Sequence, residues 1–583
     1  MKKTPALSKA LLMRLYGYVK KYRLLLFFAV LTAFVGSVLA LTGPLLMGRA
    51  IDYIIGLGQV EFAPILRILA VMAALYVVSS VAQWFMQAFS AAIAARTAAD
   101  IRKDGFLRLS ILPLRYFDNP AHGDTISRFT NDLDAVADGL AQAITQLFAG
   151  VVTLLGTLGF MLSLSAPITA VVAVLTPLSI LVAGKIVQSS TRMFREQSRT
   201  LGELNGFVEE MVSGGRVIRA FGREEASQEQ FSEINARLYK VGQLSQFYSS
   251  LANPSTRLIN HTVYVCVGVI GALLAVTGGL SVGAIASFLT YAVQFSRPIN
   301  EITGITTQLQ SAAASLERAF ALLDTPPQQP DAPEARRDIQ ARGNVEFADV
   351  SFSYQKDSPL IEHFSLRVAP GQTVAIVGPT GAGKTTIVNL LMRFYEIDSG
   401  AILLDGVDIR DIARDSLRCS FGMVLQDSWL FSGTVRENIA YGRPDATAEE
   451  VEQAARAAHA HGFIRRLPQG YDTVIAEDGG NISEGQKQLL TIARAMLSDP
   501  PMLILDEATS SVDTRTEQRI QRAFLALMQG RTSFVIAHRL STIRGADVIL
   551  AMDQGKIVEM GSHEELLRKE GFYYRLYNSQ FAK

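Results

Sequence analysis

At 583 residues with a formal net charge of +1, the chain is too long for one domain and too evenly charged to call for a polyanionic partner. Hydrophobic residues make up 49% and charged residues only 19%, an apolar balance that excludes an ordinary, purely soluble protein. The two cysteines, Cys266 and Cys419, lie too far apart for a disulfide framework and read as small apolar filling.

The apolar weight falls in the first half of the chain. Leu24 to Met47 and Ile68 to Ala95 carry no charge, and each is long enough to cross a ~30 Å hydrocarbon core as a helix. The first of these is too long for a cleavable signal and has no small-residue cleavage site after it. Gly139 to Gly184 is uncharged and too long for one span, so Ser165-Ala166-Pro167 reads as a tight turn between two. Leu258 to Ser296 has no Asp, Glu, Lys or Arg, and Gly278-Gly279 marks its turn. Six membrane-spanning helices are therefore expected.

Flanking charge sets the orientation. Lys2, Lys3, Lys9, Arg14, Lys20, Lys21 and Arg23 precede the first span. Arg96, Arg102, Lys103, Arg108, Arg115 and Arg128 lie between spans two and three, and a comparable set from Lys185 to Arg223 lies between spans four and five. The turns at Ser165 and Gly278 carry none. The positive-inside rule then places the N-terminus, both long polar segments and everything after the sixth span in the cytoplasm. The two polar segments read as helical extensions of the spans, each interrupted by a short break: Tyr116 to Asp124, and Glu210 to Arg216 running on to Glu224. Arg257, Asn260 and His261 sit near the cytoplasmic end of span five. They either line a water-filled path or project beyond the lipid.

Thr325 to Pro333 is rich in proline and reads as a linker. The expected domains are residues 1–324, membrane-spanning; 325–342, linker; and 343–583, an α/β phosphate-loop domain. In the last of these, Gly378-Pro379-Thr380-Gly381-Ala382-Gly383-Lys384-Thr385 fits the phosphate-loop pattern. It should join a strand over Thr373 to Val377 to a helix beginning near Lys384. Backbone N–H groups and the helix N-terminus would surround the phosphates, Lys384 would supply a point charge, and the Thr385 hydroxyl could ligate Mg²⁺. Thr386 follows directly and completes the expected phosphate-binding set. Asn481-Ile482-Ser483-Glu484-Gly485-Gln486 comes about 100 residues later, then the apolar run Met502 to Leu505 ending in Asp506-Glu507. The strand-like Thr532 to Ala537 precedes His538.

This order of motifs resembles the ATPase domain of ATP-binding-cassette (ABC) transporters, and with the six expected spans nearly the whole chain resembles a bacterial exporter-type half-transporter. The resemblance implies ATP and Mg²⁺ as ligands and a dimer as the working unit. Two composite sites would form, each pairing one chain's phosphate loop with the other chain's signature. Tyr354 would stack on adenine. Asp506 would hold Mg²⁺ through water, Gln426 would touch the metal and the membrane half, and Glu507 would polarise the attacking water, with His538 at the γ-phosphate. Ser510 to Asp513 matches the loop that crosses the subunit boundary. The two breaks resemble coupling helices that dock on the ATPase domain, with Glu477 sensing them.

One position departs from the family. Its usual Leu-Ser-Gly-Gly-Gln signature reads Ile482-Ser483-Glu484-Gly485-Gln486 here, which sets a carboxylate where glycine gave access to the γ-phosphate. That favours a heterodimer over a homodimer, because two identical chains would carry the repulsion into both sites. The expected activity is ATP-driven export of a small molecule, drug, lipid or peptide across the bacterial cytoplasmic membrane by alternating access. Import of a metal chelate on the same scaffold and lipid flipping stay open. A soluble mechanical ATPase is opposed by the spans, and a peptide-processing exporter by the lack of a cysteine-protease domain ahead of the first span. No nucleic-acid partner is expected.

Overall fold

The computed structural model describes residues 9–54, 60–118, 122–355, 358–426, 428–476, 480–506, 513–537 and 540–580. The chain forms two compact units: Met1–Ile111 with Ala121–Pro326, and Leu112–Pro120 with Pro327–Lys583.

The first unit is built from long helices. Among the described residues, four helical stretches are long and apolar enough to cross a membrane: Lys9–Asp52, Phe62–Leu109, Thr125–Leu164 and Arg257–Val276. Two further long helices, Ala166–Ser213 and Val282–Asp324, follow the expected turns. The first turn is shorter than expected. Only Ser165 is extended, and Pro167 already sits in the first turn of the next helix, where its missing N–H costs nothing.

Small residues let these helices approach closely. The buried stripe of Arg23–Asp52 includes Ala29, Ala33, Gly36 and Ser37, and that of Phe62–Leu109 includes Ser79, Ala82 and Ser90. At their contact the Ser79 hydroxyl donates to the Gly36 carbonyl at 2.8 Å. A Cβ on Gly48 would come within 2.4 Å of the Gly283 carbonyl oxygen, so only glycine allows that crossing. Asp52 fixes the same junction from its side chain, accepting from the Gly283 N–H at 2.7 Å and the Ser281 hydroxyl at 2.8 Å. Asp132 is buried and ties two helices together, accepting from Arg318 Nε at 2.8 Å and the Ser315 hydroxyl at 2.9 Å.

The second unit is an α/β domain. An antiparallel sheet, ordered β2-β1-β4-β5, comprises β1 (Val345–Phe352), β2 (Ile361–Val368), β4 (Ser399–Leu404) and β5 (Val407–Asp408). A second sheet runs β12-β11-β3-β10-β9-β6. Its members are β3 (Thr373–Val377), β6 (Phe421–Val424), β9 (Met502–Asp506), β10 (Thr532–Ile536), β11 (Val548–Asp553) and β12 (Lys556–Gly561). A short pair, β7 (Gly433–Thr434) and β8 (Val474–Ile475), lies apart. β3, β10, β9 and β6 are parallel, and their near-continuous apolar runs are buried on both faces, as a parallel sheet requires.

Of the linker expected over residues 325–342, residues 327–342 are strapped to this unit. Arg414, only 6% exposed, donates to Asp331, to the Gln329 carbonyl at 2.7 Å and to Glu396 at 2.6 Å. Arg336 N–H donates to the Asp411 carbonyl, and Arg336 C=O accepts from Ala413 N–H at 3.0 Å.

Candidate functional site

The carboxyl ends of β3, β9 and β10 meet at one edge of the larger sheet, with Ile536 in register with both Ile376 and Asp506. Clefts at this edge are where α/β sheets bind ligands. Gly378 to Gly383 leave β3 and turn into the helix Lys384–Leu391. Gly383 caps that helix with φ +89°, a left-handed conformation that a side chain would strain. A Cβ on Gly378 would meet the Met552 carbonyl oxygen at 2.2 Å, so the strand must leave the sheet through a glycine.

Thr380, Gly381, Gly383, Lys384, Thr385, Thr386, Gln426 and Asp506 line one cleft. Pro379 and Ala382 complete the loop. Lys384 Nζ donates to the carbonyls of Gly378 at 2.8 Å and Pro379 at 2.9 Å, which curls the ammonium back over the loop. Burial lowers its pKa from the ordinary 10.5, while the nearby Asp506 carboxylate pulls it upward. An arriving triphosphate would act in the same direction as Asp506. Thr385, Gln426 and Asp506 offer a hydroxyl, an amide and a carboxylate, the hard oxygen donors that Mg²⁺ takes. Among the described residues no trio of His, Cys, Asp or Glu could hold a metal alone, so the phosphates of a nucleotide would have to complete the shell.

The Tyr354 ring stands edge-on against Phe352 and Tyr395. Its hydroxyl lies 3.3 Å from the Thr386 hydroxyl and from Asn389 Nδ2, which ties the tyrosine to the phosphate-loop helix. Arg115, from the short helix Leu114–Phe117, donates to the Tyr354 carbonyl at 2.9 Å. Nothing in the sequence pairs Arg115 with Tyr354. Leu360 and Ile536 complete the cleft wall, and as plain strand-end aliphatics they carry no motif that could have found them.

The signature segment begins the helix Glu484–Ser498. Ser483 is its N-cap, and Ser483 and Gln486 form a capping box: Ser483 accepts from Gln486 N–H, and Gln486 Oε1 accepts from Ser483 N–H at 3.1 Å. Gly485 is buried, and the exposed Glu484 turns along the helix onto Lys487 at 2.6 Å. Arg494 anchors the far end of the helix. It donates to the Asn438 carbonyl at 2.9 Å and the Trp429 carbonyl at 3.2 Å, and it stacks over Tyr441. Burial lowers the Arg494 pKa. Asp513 caps the helix Thr514–Met528, and hydrogen bonds from Thr516 hold its carboxyl below the usual carboxylate range.

Glu507 and His538 lie outside the described residues, as do Glu477 and Ser510 to Val512. Arg257 and His261 are exposed on the helix Glu224–Val276, whereas Asn260 is half-buried and its Oδ1 has no hydrogen-bond partner among the described residues.

The family described as the ABC transporter transmembrane region matches residues 26–299, and the ABC transporter family matches residues 361–510. The ABC transporter ATP-binding protein YfiC of Bacillus subtilis (strain 168) is 43% identical over 99% of this chain and 95% of its own length. A fatty acid ABC transporter ATP-binding/permease protein of Mycobacterium tuberculosis (strain CDC 1551 / Oshkosh) is 47% identical over 89% of this chain and 82% of its own. A solved bacterial Atm1-family ABC exporter with ATP bound superposes with a TM-score of 0.76 at 30% identity, covering 96% of this chain and 99% of that one.

Proposed function

Because the chain belongs to the ABC transporter family, a membrane protein that works as a dimer and couples ATP hydrolysis to export by alternating access, we propose that it is the hydrolytically competent half of an asymmetric, two-chain exporter. The observation that carries this reading is Glu484, a carboxylate in the first turn of the helix whose N-terminus the family directs at the partner's ATP. A negative charge beside a triphosphate is repulsive, and more so as water is excluded. A second, different chain confines that penalty to one composite site. The other site joins Glu507 of this chain to a partner signature with glycine.

In that productive site the phosphate loop and Lys384 hold the triphosphate, and the Tyr354 ring stacks on adenine. Thr385, Gln426 and, through water, Asp506 would hold Mg²⁺, which would neutralise developing phosphate charge. Glu507 orients and polarises the attacking water, and His538 contacts the γ-phosphate. Closure of the ATPase pair on ATP biases the membrane halves outward, and hydrolysis with product release resets them.

The N-terminus and ATPase unit are cytoplasmic in this reading, in a bacterial inner membrane. The grouping of Leu112–Pro120 with the ATPase unit supports its role as a coupling segment. The helix Gly215–Ala220 carries exposed Val217 and is followed by exposed Phe221, an apolar surface suited to docking on the partner chain's ATPase unit. The substrate is an apolar or amphiphilic molecule, in keeping with the apolar helices of the membrane-spanning unit.

The test is to purify the chain expressed alone and measure ATPase activity. The proposal predicts weak turnover that rises severalfold when Glu484→Gly restores the glycine. Robust, cooperative turnover unchanged by that substitution contradicts it.

A further inference from the structure

A cavity of about 230 Å³ opens between helices of the membrane-spanning unit. Gln294, Arg297 and Glu301 line one side, at a spacing that keeps them on one helix face. Ala33, Leu41 and Met86 line the other. At the ~1.5 Å rise of an α-helix, Gln294 lies roughly 18 Å along the axis from Val282, near the middle of a ~30 Å hydrocarbon core.

Gln294 is short of hydrogen-bond donors in two ways. Its Oε1 is buried with no hydrogen-bond partner among the described residues. Its backbone carbonyl also lacks the usual helical donor, because the residue four positions on is Pro298, which has no N–H. An unmet acceptor at membrane depth is costly and calls for a donor from outside the helix. Next along the face, Arg297 Nε donates to Glu301 Oε1 at 2.8 Å. The side chains of this pair are 77% and 41% exposed, so the guanidinium can turn away and release the carboxylate.

We infer that this cavity binds the ammonium head of an amphiphile: its N–H groups donate to Gln294, Glu301 supplies the counter-charge, and Ala33, Leu41 and Met86 hold the alkyl body. The inference rests on the reading of an amphiphilic substrate and narrows it to a protonated amine. A cation without N–H donors leaves Gln294 unsatisfied. A carboxylate ligand could reach Arg297 only by displacing Glu301 from it, and it would then face the freed Glu301 carboxylate and the Gln294 acceptors with the wrong sign.

The test uses the full-length chain in lipid nanodiscs without nucleotide, following the thermal unfolding midpoint against octylammonium, octyltrimethylammonium and octanoate. Octylammonium should raise the midpoint saturably, octyltrimethylammonium at ~10-fold or higher concentration, and octanoate not at all. Gln294→Leu and Glu301→Gln should each raise the half-saturating octylammonium concentration about tenfold, the loss expected for one buried charge-assisted bond. Gln294→Asn keeps the amide and should fall between, which serves if the leucine variant does not fold. An octanoate effect equal to that of octylammonium, no saturable octylammonium effect, or wild-type binding by folded variants overturns the assignment. Because no ATP is present, each of those results leaves the export reading standing.

Discussion

The carboxylate of Glu484 lies 2.6 Å from the ammonium of Lys487, one turn along the signature helix. The pair is largely solvent-facing on the glutamate side, so it contributes little to folding. Its consequence is electrostatic: Lys487 offsets part of the negative charge that Glu484 brings toward a partner's γ-phosphate. In the chain expressed alone, where Glu484 would stand in both composite sites, Lys487→Gln should therefore leave the unfolding midpoint within a degree or two and lower ATPase activity severalfold. In a Glu484→Gly background the same substitution should have a smaller effect. A double-mutant cycle on ATPase rates checks this, and additive effects would show that the two residues act independently.

Lys384→Ala should weaken nucleotide binding at this site by at least ~10-fold, since it removes the cation from the phosphate cradle. Burial sets the Lys384 pKa below 10.5. The sign follows: the protonated form binds the triphosphate, so affinity should fall as pH rises through that lowered pKa. Lys384→Arg, charged throughout this range, should bind less well but flatten the decline. Titrating a fluorescent ATP analogue across alkaline pH makes the comparison.

Arg115→Ala removes a single hydrogen bond to the Tyr354 carbonyl and should not unfold the chain. It should raise the KM for ATP about two- to fivefold, the size expected of one such bond, and reduce stimulation of ATPase by transported compounds more than the basal rate. Equal loss of basal and stimulated rates would point to simple damage of the nucleotide site.

Arg414→Ala should destabilise the ATPase unit by about 2 kcal/mol, because it removes charge-assisted hydrogen bonds to Asp331 and Glu396 and leaves both carboxylates to Arg393. Chemical unfolding of the full chain in detergent would report this. The result also bears on the segment 327–342, which should detach from the unit and become protease-sensitive.

The phosphate loop was legible in the sequence because its chemistry is local: glycines must stand where the backbone turns, and Lys384 and Thr385 follow at fixed spacing. The apolar runs were legible because charge is excluded from lipid over a length that the bilayer fixes. The strap over residues 327–342 was not, since its prolines signal a boundary while Asp331 meets Arg414 across a long stretch of chain. In the sequence Arg115 is one of several charges flanking a span, and only the folded backbone brings it to Tyr354. The acceptors at Gln294 are legible in hindsight through Pro298, yet the buried state of the amide depends on three other helices. In the signature, the sequence showed the intrusion of Glu484, while its turn onto Lys487 needed the helix to be built.

The catalytic role of Glu507 is tested most directly by ATP turnover of Glu507→Gln in the assembled transporter, with nucleotide binding measured on the same preparation. Binding should persist while hydrolysis falls at least ~10²-fold, as loss of a positioned base requires. Hydrolysis near the wild-type rate in that variant would contradict it.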